Sequence, residues 1–163
     1  MQKIIKAHNN KIINDSKIQS NDDICNCRNK NNCPLPGKCT IKNVIYQANV
    51  ITDNDNKGYI GLTSTTFKTR YTGHKASFTN PQKRNSTELS KYIWTLKDTN
   101  TPYQLKWKIL RRAQPYSPRS KRCNLCLWEK LFIITNRNSI MNSRSELIST
   151  CRHRNKFLLS EYG

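Results

Sequence analysis

The metal-seeking residues of this chain fall in two sets. Cys25, Cys27, Cys33 and Cys39 lie within fifteen residues, spaced Cys-x-Cys-x5-Cys-x5-Cys. Four thiolates so close in a loop can wrap one tetrahedral Zn2+, and binding supplies folding free energy that a segment without a core lacks. Residues 25–42 are such a segment, Asn-rich, basic and interrupted by Pro34, Pro36 and Gly37. The second set is Cys123-x2-Cys126 with Cys151-x-His153 downstream. Together the sets use all seven cysteines and one of the three histidines. Four protein ligands leave no position for water, so two structural zincs are expected. Free buried thiols are the alternative. The odd cysteine count argues against a disulfide framework and fits a reducing, intracellular compartment.

A further group of residues suits phosphodiester cleavage. That reaction needs a nucleophilic water, neutralisation of phosphate charge and help for the leaving 3′ oxygen. A single carboxylate such as Glu129 suits one hard divalent ion, Mg2+ or Mn2+, that keeps most of its waters. Arg70 offers a two-pronged fork for the phosphate. Arg70 and His74 are four apart and share a face if the segment is helical. Tyr46 and Tyr59 would sit on adjacent strands of a hairpin, with their hydroxyls converging on that helix. Each residue alone has an ordinary reading: strand tyrosines usually pack, and a lone arginine is usually solvated. Glu129 stands among Leu127, Trp128, Leu131 and Phe132, an apolar run in which an unpaired acid is costly.

The elements that must position these groups are legible from periodicity. Residues 44–52 are β-branched and partly alternating, a strand. Residues 53–58 are a turn, and Tyr59-Ile60-Gly61-Leu62 returns as a second strand. Ser64 and Thr65 are expected to start a helix carrying Phe67, Arg70, Tyr71, His74 and Phe78. Ser86, Thr87 and Glu88 cap a second helix with Leu89, Tyr92, Ile93 and Leu96 inward. Residues 103–110 alternate with Leu105, Trp107 and Ile109 inward, a third strand. Arg111, Arg112, Arg119, Lys121 and Arg122 are expected in a basic loop, followed by a helix from Leu125 to about Thr135. The sum is a small α+β domain, a three-stranded antiparallel sheet flanked by helices. The expected organisation is a helical or flexible tether over 1–24, a zinc-binding segment over 25–42 and a domain over 43–163.

Tyr46, then Tyr59-Ile60-Gly61, then Arg70, His74, Glu129 and Asn142, in that order, resemble the GIY-YIG nuclease family over roughly residues 43–148. Val44-Ile45-Tyr46 stands where the family has Gly-Ile-Tyr, so the tyrosine is kept and the glycine is not. The leading Cys-Asn-Cys-Arg, the Cys-Asn-Leu-Cys-Leu-Trp-Glu-Lys stretch, Met141-Asn142 and Cys151-Arg-His153 together look like the C-terminal endonuclease of Penelope-like and related retroelement reverse transcriptases. The resemblance implies a GIY-YIG fold and a divalent-metal-dependent DNA endonuclease, with Tyr46 as general base, His74 assisting, Glu129 on the metal and Asn142 holding the active-site loop. The rival readings are a zinc-bearing nucleic-acid binder without turnover and a structure-specific repair nuclease.

Charge supports a polyanionic partner. Lys and Arg total 29 against 10 acids, a formal +19. Such an excess repels itself unless screened, and each neutralised phosphate releases counterions. No apolar run approaches the roughly 20 residues that span a bilayer, and the polar–apolar alternation of the N-terminus is not that of a signal peptide. DNA is the expected partner, the nucleus the expected compartment, and no membrane is expected. Oligomeric state is left open by the sequence.

Overall fold

The computed structural model describes residues 25–117, 119 and 122–153. The tether expected over 1–24 lies outside them. Strand β1 (Lys42–Ile51) pairs antiparallel with β2 (Asn56–Thr66) on one side and with β3 (Gln104–Arg112) on the other, giving the order β2-β1-β3. Helices α1 (Phe67–Thr79) and α2 (Glu88–Asp98) follow β2. A two-residue ribbon, β4 (Tyr116–Ser117) with β5 (Arg122–Cys123), leads into α3 (Asn124–Thr135), and a short α4 (Arg144–Ile148) follows. The class is α+β, with a three-stranded antiparallel sheet and helices on both faces, as expected.

Being central explains why β1 is apolar on both faces. Val44, Tyr46, Ala48 and Val50 pack with Phe67, Phe78, Leu89 and Ile93 from α1 and α2. Ile45 points the other way and packs with Ile60, Leu125 and Ile133. Burial of side chains this size stabilises by roughly 1.5–3 kcal/mol each, so α1 and α2 are fixed above the sheet and α3 below it. Leu105, Trp107 and Ile109 lie against the first core, as the alternation predicted. A register shift opposite Ile45 and Tyr46 then leaves Leu110 unpaired, and Leu110 joins the second core on the opposite face. An extra residue in a ladder switches faces in this way.

Three expectations need correction. The second strand does not stop at Leu62 but continues to Thr66, because Thr63, Thr65 and Thr66 are β-branched and extend the ladder to Lys42. The helix therefore starts at Phe67, with the Thr66 hydroxyl accepting from the Thr69 N–H at 3.2 Å, rather than at Ser64 or Thr65. Arg111 and Arg112 are not loop residues: they end β3, opposite Ile45 and Val44. Leu127 and Leu131 do not bury Glu129, since both face solvent, at 52% and 45% exposure. They lie on the far side of α3, and Glu129 is covered from elsewhere.

The outer edge of β2 is closed by chain returning from α3. Gly58 N–H donates to Ser139 O (2.9 Å) and Met141 N–H to Gly58 O (2.8 Å). The Asn142 side chain then extends this pairing, its Oδ1 accepting from Ile60 N–H and its Nδ2 donating to Ile60 O, both at 2.8 Å. Among the described residues, nothing pairs with the outer edge of β3.

Candidate functional site

The hairpin brings the two tyrosines together by register. Tyr46 lies opposite Gly61 and Ala48 opposite Tyr59, so Tyr46 and Tyr59 are diagonal neighbours on the face covered by α1. The Tyr46 ring crosses β2 directly over Gly61. A Cβ there would lie 2.4 Å from Tyr46 Oη and 2.6 Å from Cζ. No side chain fits without moving the ring, which gives the glycine of the Tyr59-Ile60-Gly61 step a steric cause in this fold. Gly61→Ala is therefore expected to destabilise by about 1–3 kcal/mol through overpacking and to pull the hydroxyl from its partners. Gly58→Ala, whose new Cβ crowds the movable Gln47 Nε2 at 2.6 Å and meets Asn49 Oδ1 and Ile140 Cγ2 at an ordinary 3.4 Å, should cost less. Chemical denaturation of the two variants checks this, and equal midpoints would contradict the packing described.

Helix α1 presents Arg70 and His74 to the Tyr46 hydroxyl. His74 Nε2 is 2.7 Å from Tyr46 Oη, and Arg70 Nε–H donates to the same oxygen at 3.0 Å. Tyr46 is fully enclosed and His74 is buried. Burial pushes the Tyr46 phenol up to about 12 although the Arg70 charge pulls it back. Burial, assisted by the Arg70 charge, holds His74 down at about 3. His74 is thus a neutral imidazole at neutral pH, and in the tautomer with its proton on Nδ1 its Nε2 accepts a hydrogen bond from the phenol. Burial works against the Arg70 charge, but the phenol oxygens of Tyr46 and Tyr59 outweigh it and raise its pKa. Arg70 is hydrogen-bonded to Tyr59 as well as to Tyr46, so the guanidinium ties the two phenols together, with further N–H groups left over for an incoming anion.

Glu129 reaches the same edge of β2 from below the sheet. Its carboxylate makes a backbone hydrogen bond at Leu62, two residues along the strand from the Asn142 clasp, and lies where the charges of Arg70 and Glu146 are felt. Burial first, and then the Glu146 charge, push its carboxyl up to about 7. Two groups therefore meet around the rim of β2: Tyr46 of β1 with Arg70 and His74 of α1, and Glu129 of α3, with Asn142 fixing the strand between them. All six residues that the sequence singled out are brought to this rim.

Glu146 is a member that sequence reasoning missed. It accepts from the Ser143 N–H at 2.9 Å as the closing half of a capping box, and interacts with the Tyr59 hydroxyl and Asn142. With Glu129 it lines a pocket of about 360 Å3 that also includes Cys126, Arg152 and His153. The signal was present as Ser143-x-x-Glu146, a helix-start pattern, but nothing local says that the helix docks on Tyr59.

Both cysteine sets are assembled. The ligand atoms of Cys25, Cys27, Cys33 and Cys39 lie within 4.8 Å of one another, as do those of Cys123, Cys126, Cys151 and His153. Sulfur separations in the first set are 3.3, 3.4 and 3.7 Å. These are too long for disulfides and close to the edge of about 3.8 Å expected for a tetrahedron with Zn–S near 2.3 Å. In the second set His153 Nδ1 is 3.5, 3.3 and 3.8 Å from the sulfurs of Cys123, Cys126 and Cys151. A mixed sulfur–nitrogen tetrahedron has edges of about 3.6 Å. Each set can therefore hold a metal ion such as zinc. The first also supports α1, because Ile41 O accepts from the Phe67 N–H (2.8 Å) and Cys39 O from the Lys68 N–H (2.7 Å). Two of the otherwise unpaired amides at that helix start are thus satisfied by the metal loop.

Comparison with protein-family models, curated proteins and solved structures finds no match for this chain. Its function must be argued from the site.

Proposed function

We propose that the chain is a divalent-metal-dependent DNA endonuclease of GIY-YIG type, related to the C-terminal endonuclease of Penelope-like retroelement reverse transcriptases and nicking DNA for their integration. The observation that carries this reading is the Tyr46 hydroxyl held between a neutral His74 acceptor and an Arg70 donor, on the rim that Glu129 also reaches. Isolated packing tyrosines do not require a buried imidazole and a guanidinium on one oxygen. The +19 charge supplies attraction to the phosphate backbone.

In this reading, the Arg70 guanidinium turns from the two tyrosines to bind the scissile phosphate and neutralises charge as it develops. Turning onto the phosphate moves the guanidinium off Tyr46 and gives water access to a hydroxyl that is otherwise enclosed. As water attacks phosphorus, its proton passes to the Tyr46 oxygen while the phenol proton passes to His74 Nε2, so no free phenolate is needed. Glu129, with Glu146 beside it, would hold Mg2+ or Mn2+. A carboxylate whose proton affinity is raised by burial and by a neighbouring carboxylate suits a cation that relieves the repulsion. A bound ion supplies Lewis-acid stabilisation of the phosphate and leaving oxygen.

A second reading, a zinc-bearing nucleic-acid binder without turnover, draws on the complete enclosure of Tyr46. Incubation of supercoiled plasmid with the purified chain and Mg2+ or Mn2+ separates the two. Conversion to the open-circular form is expected; retention of DNA with no nicking under either ion would leave only the binder.

A further inference from the structure

The loop that holds the first cysteine set does more than cap α1. It forms one wall of a groove of about 640 Å3, whose other walls are α1 and the unpaired strand β3. Asn31 and Asn32 line it from the loop, Tyr71 and Lys75 from α1, and Lys106 and Trp107 from β3. No carboxylate lines it. The Tyr71 and Trp107 rings meet at 88° with centroids 5.6 Å apart, making an aromatic corner at the base of the groove. Both rings are partly buried, Trp107 also lying against Tyr46, Phe67 and His74, and both lysines and both asparagines are exposed. The Lys75 ammonium lies 5.7 Å from the Tyr71 ring centroid. The Trp107 indole N–H has no hydrogen-bond partner among the described residues, whereas the Trp94 indole donates to Ser77 O at 2.8 Å. A second depression of about 380 Å3 shares Asn32, Tyr71 and Lys75 and continues past Lys68. The track is therefore basic along its length.

We propose that this groove binds an unpaired strand of nucleic acid, with bases stacking on Trp107 and Tyr71 and phosphates contacting Lys68, Lys75 and Lys106. The part of the ring pair left open at the groove offers a stacking surface to any base, and ammonium groups beside it track the backbone; this combination recurs where single strands are held without sequence preference. A duplex hides its base faces and would gain only the lysine contacts. The free indole N–H and the loop amides add donors for a base edge or phosphate. The proposal rests on the nucleic-acid half of the proposed function and not on turnover. It also gives the first cysteine set a reason beyond stability, since that loop is the wall.

The test uses the zinc-loaded chain with Trp94→Phe and Trp128→Phe, which leaves Trp107 as the sole indole. A twelve-nucleotide oligo-dT is expected to quench Trp107 emission, and a duplex of equal length to quench it far less. Lys75→Glu with Lys106→Glu, both at exposed positions, should weaken oligo-dT binding at least tenfold in the full chain. Unchanged Trp107 emission while filter retention of the same oligonucleotide saturates would overturn the proposal, as would equal quenching by the duplex. Plasmid nicking measured on the same preparation keeps the readings apart. Nicking without quenching rejects the groove alone, and quenching without nicking rejects the nuclease alone.

Discussion

Glu129→Gln is expected to lower plasmid nicking by about a thousandfold, the scale of losing a charge-stabilising group in a buried site, while DNA retention stays within about twofold. Glutamine keeps the volume beside Leu62 and the second cysteine set, so the fold and metal content should be unchanged. The charge is what disappears, and with it the means of holding a hard cation. The pH dependence is part of the same prediction. Burial and the Glu146 charge bring the Glu129 carboxyl up to about 7. Below that pH the carboxyl carries a proton that a cation must displace; above it the site is already ionised. The Mg2+ concentration giving half-maximal nicking should therefore be flat above pH 7 and rise about tenfold for each unit below it, as one displaced proton requires. A requirement constant from pH 6 to 8, or normal cutting by the glutamine variant, would remove Glu129 from the metal.

Cys39→Ser should have the largest effect on stability. Cys39 is fully buried, its sulfur lies 3.4 Å from that of Cys25, and its carbonyl caps the first turn of α1. The loop anchors only Leu35 and Ile41 in the first core, so bound zinc would contribute much of its folding free energy. Losing it should cost several kcal/mol and lower the melting temperature by about 10 °C, given about 2–4 °C per kcal/mol for a chain of this size. Nicking should fall with it, because the loosened helix start carries Arg70 and His74. Metal analysis of the native chain should find about two zincs, one of them lost in the variant. A variant that keeps both metals shows that Cys39 is not a ligand, and an unshifted melt shows that the loop does not support the helix.

What could be read from the sequence was what depends on near neighbours. The hairpin placing Tyr46 beside Tyr59 follows from two alternating runs and a turn. The shared face of Arg70 and His74 follows from a four-residue spacing. The cysteine spacing announced both candidate metal sets, because thiols grouped so closely can wrap one tetrahedral ion. What was hidden depends on the chain coming back on itself. Glu146 reaches the rim only because residues 139–142 close the edge of β2, and no local pattern encodes that return. The cover over Glu129 was misread for the same reason: helix neighbours such as Leu127 and Leu131 are adjacent in sequence but point to solvent. The extra residue at Leu110, which exchanges the faces at the end of β3, left no trace in an alternation that looked unbroken up to it.

The two margins of the sheet are protected in different ways. β2 is sealed by Ser139, Met141 and the Asn142 amide. Along β3 the described chain offers no cover, only the exposed ammonium groups of Lys106 and Lys108 alternating with inward Trp107 and Ile109. A bare strand is a template on which a second copy can zip. Here like charges would meet along the seam, so the lysines suited to a phosphate backbone also keep copies of the sheet from joining. Neutralising both would be expected to leave the monomer fold intact and shorten its shelf life in concentrated solution.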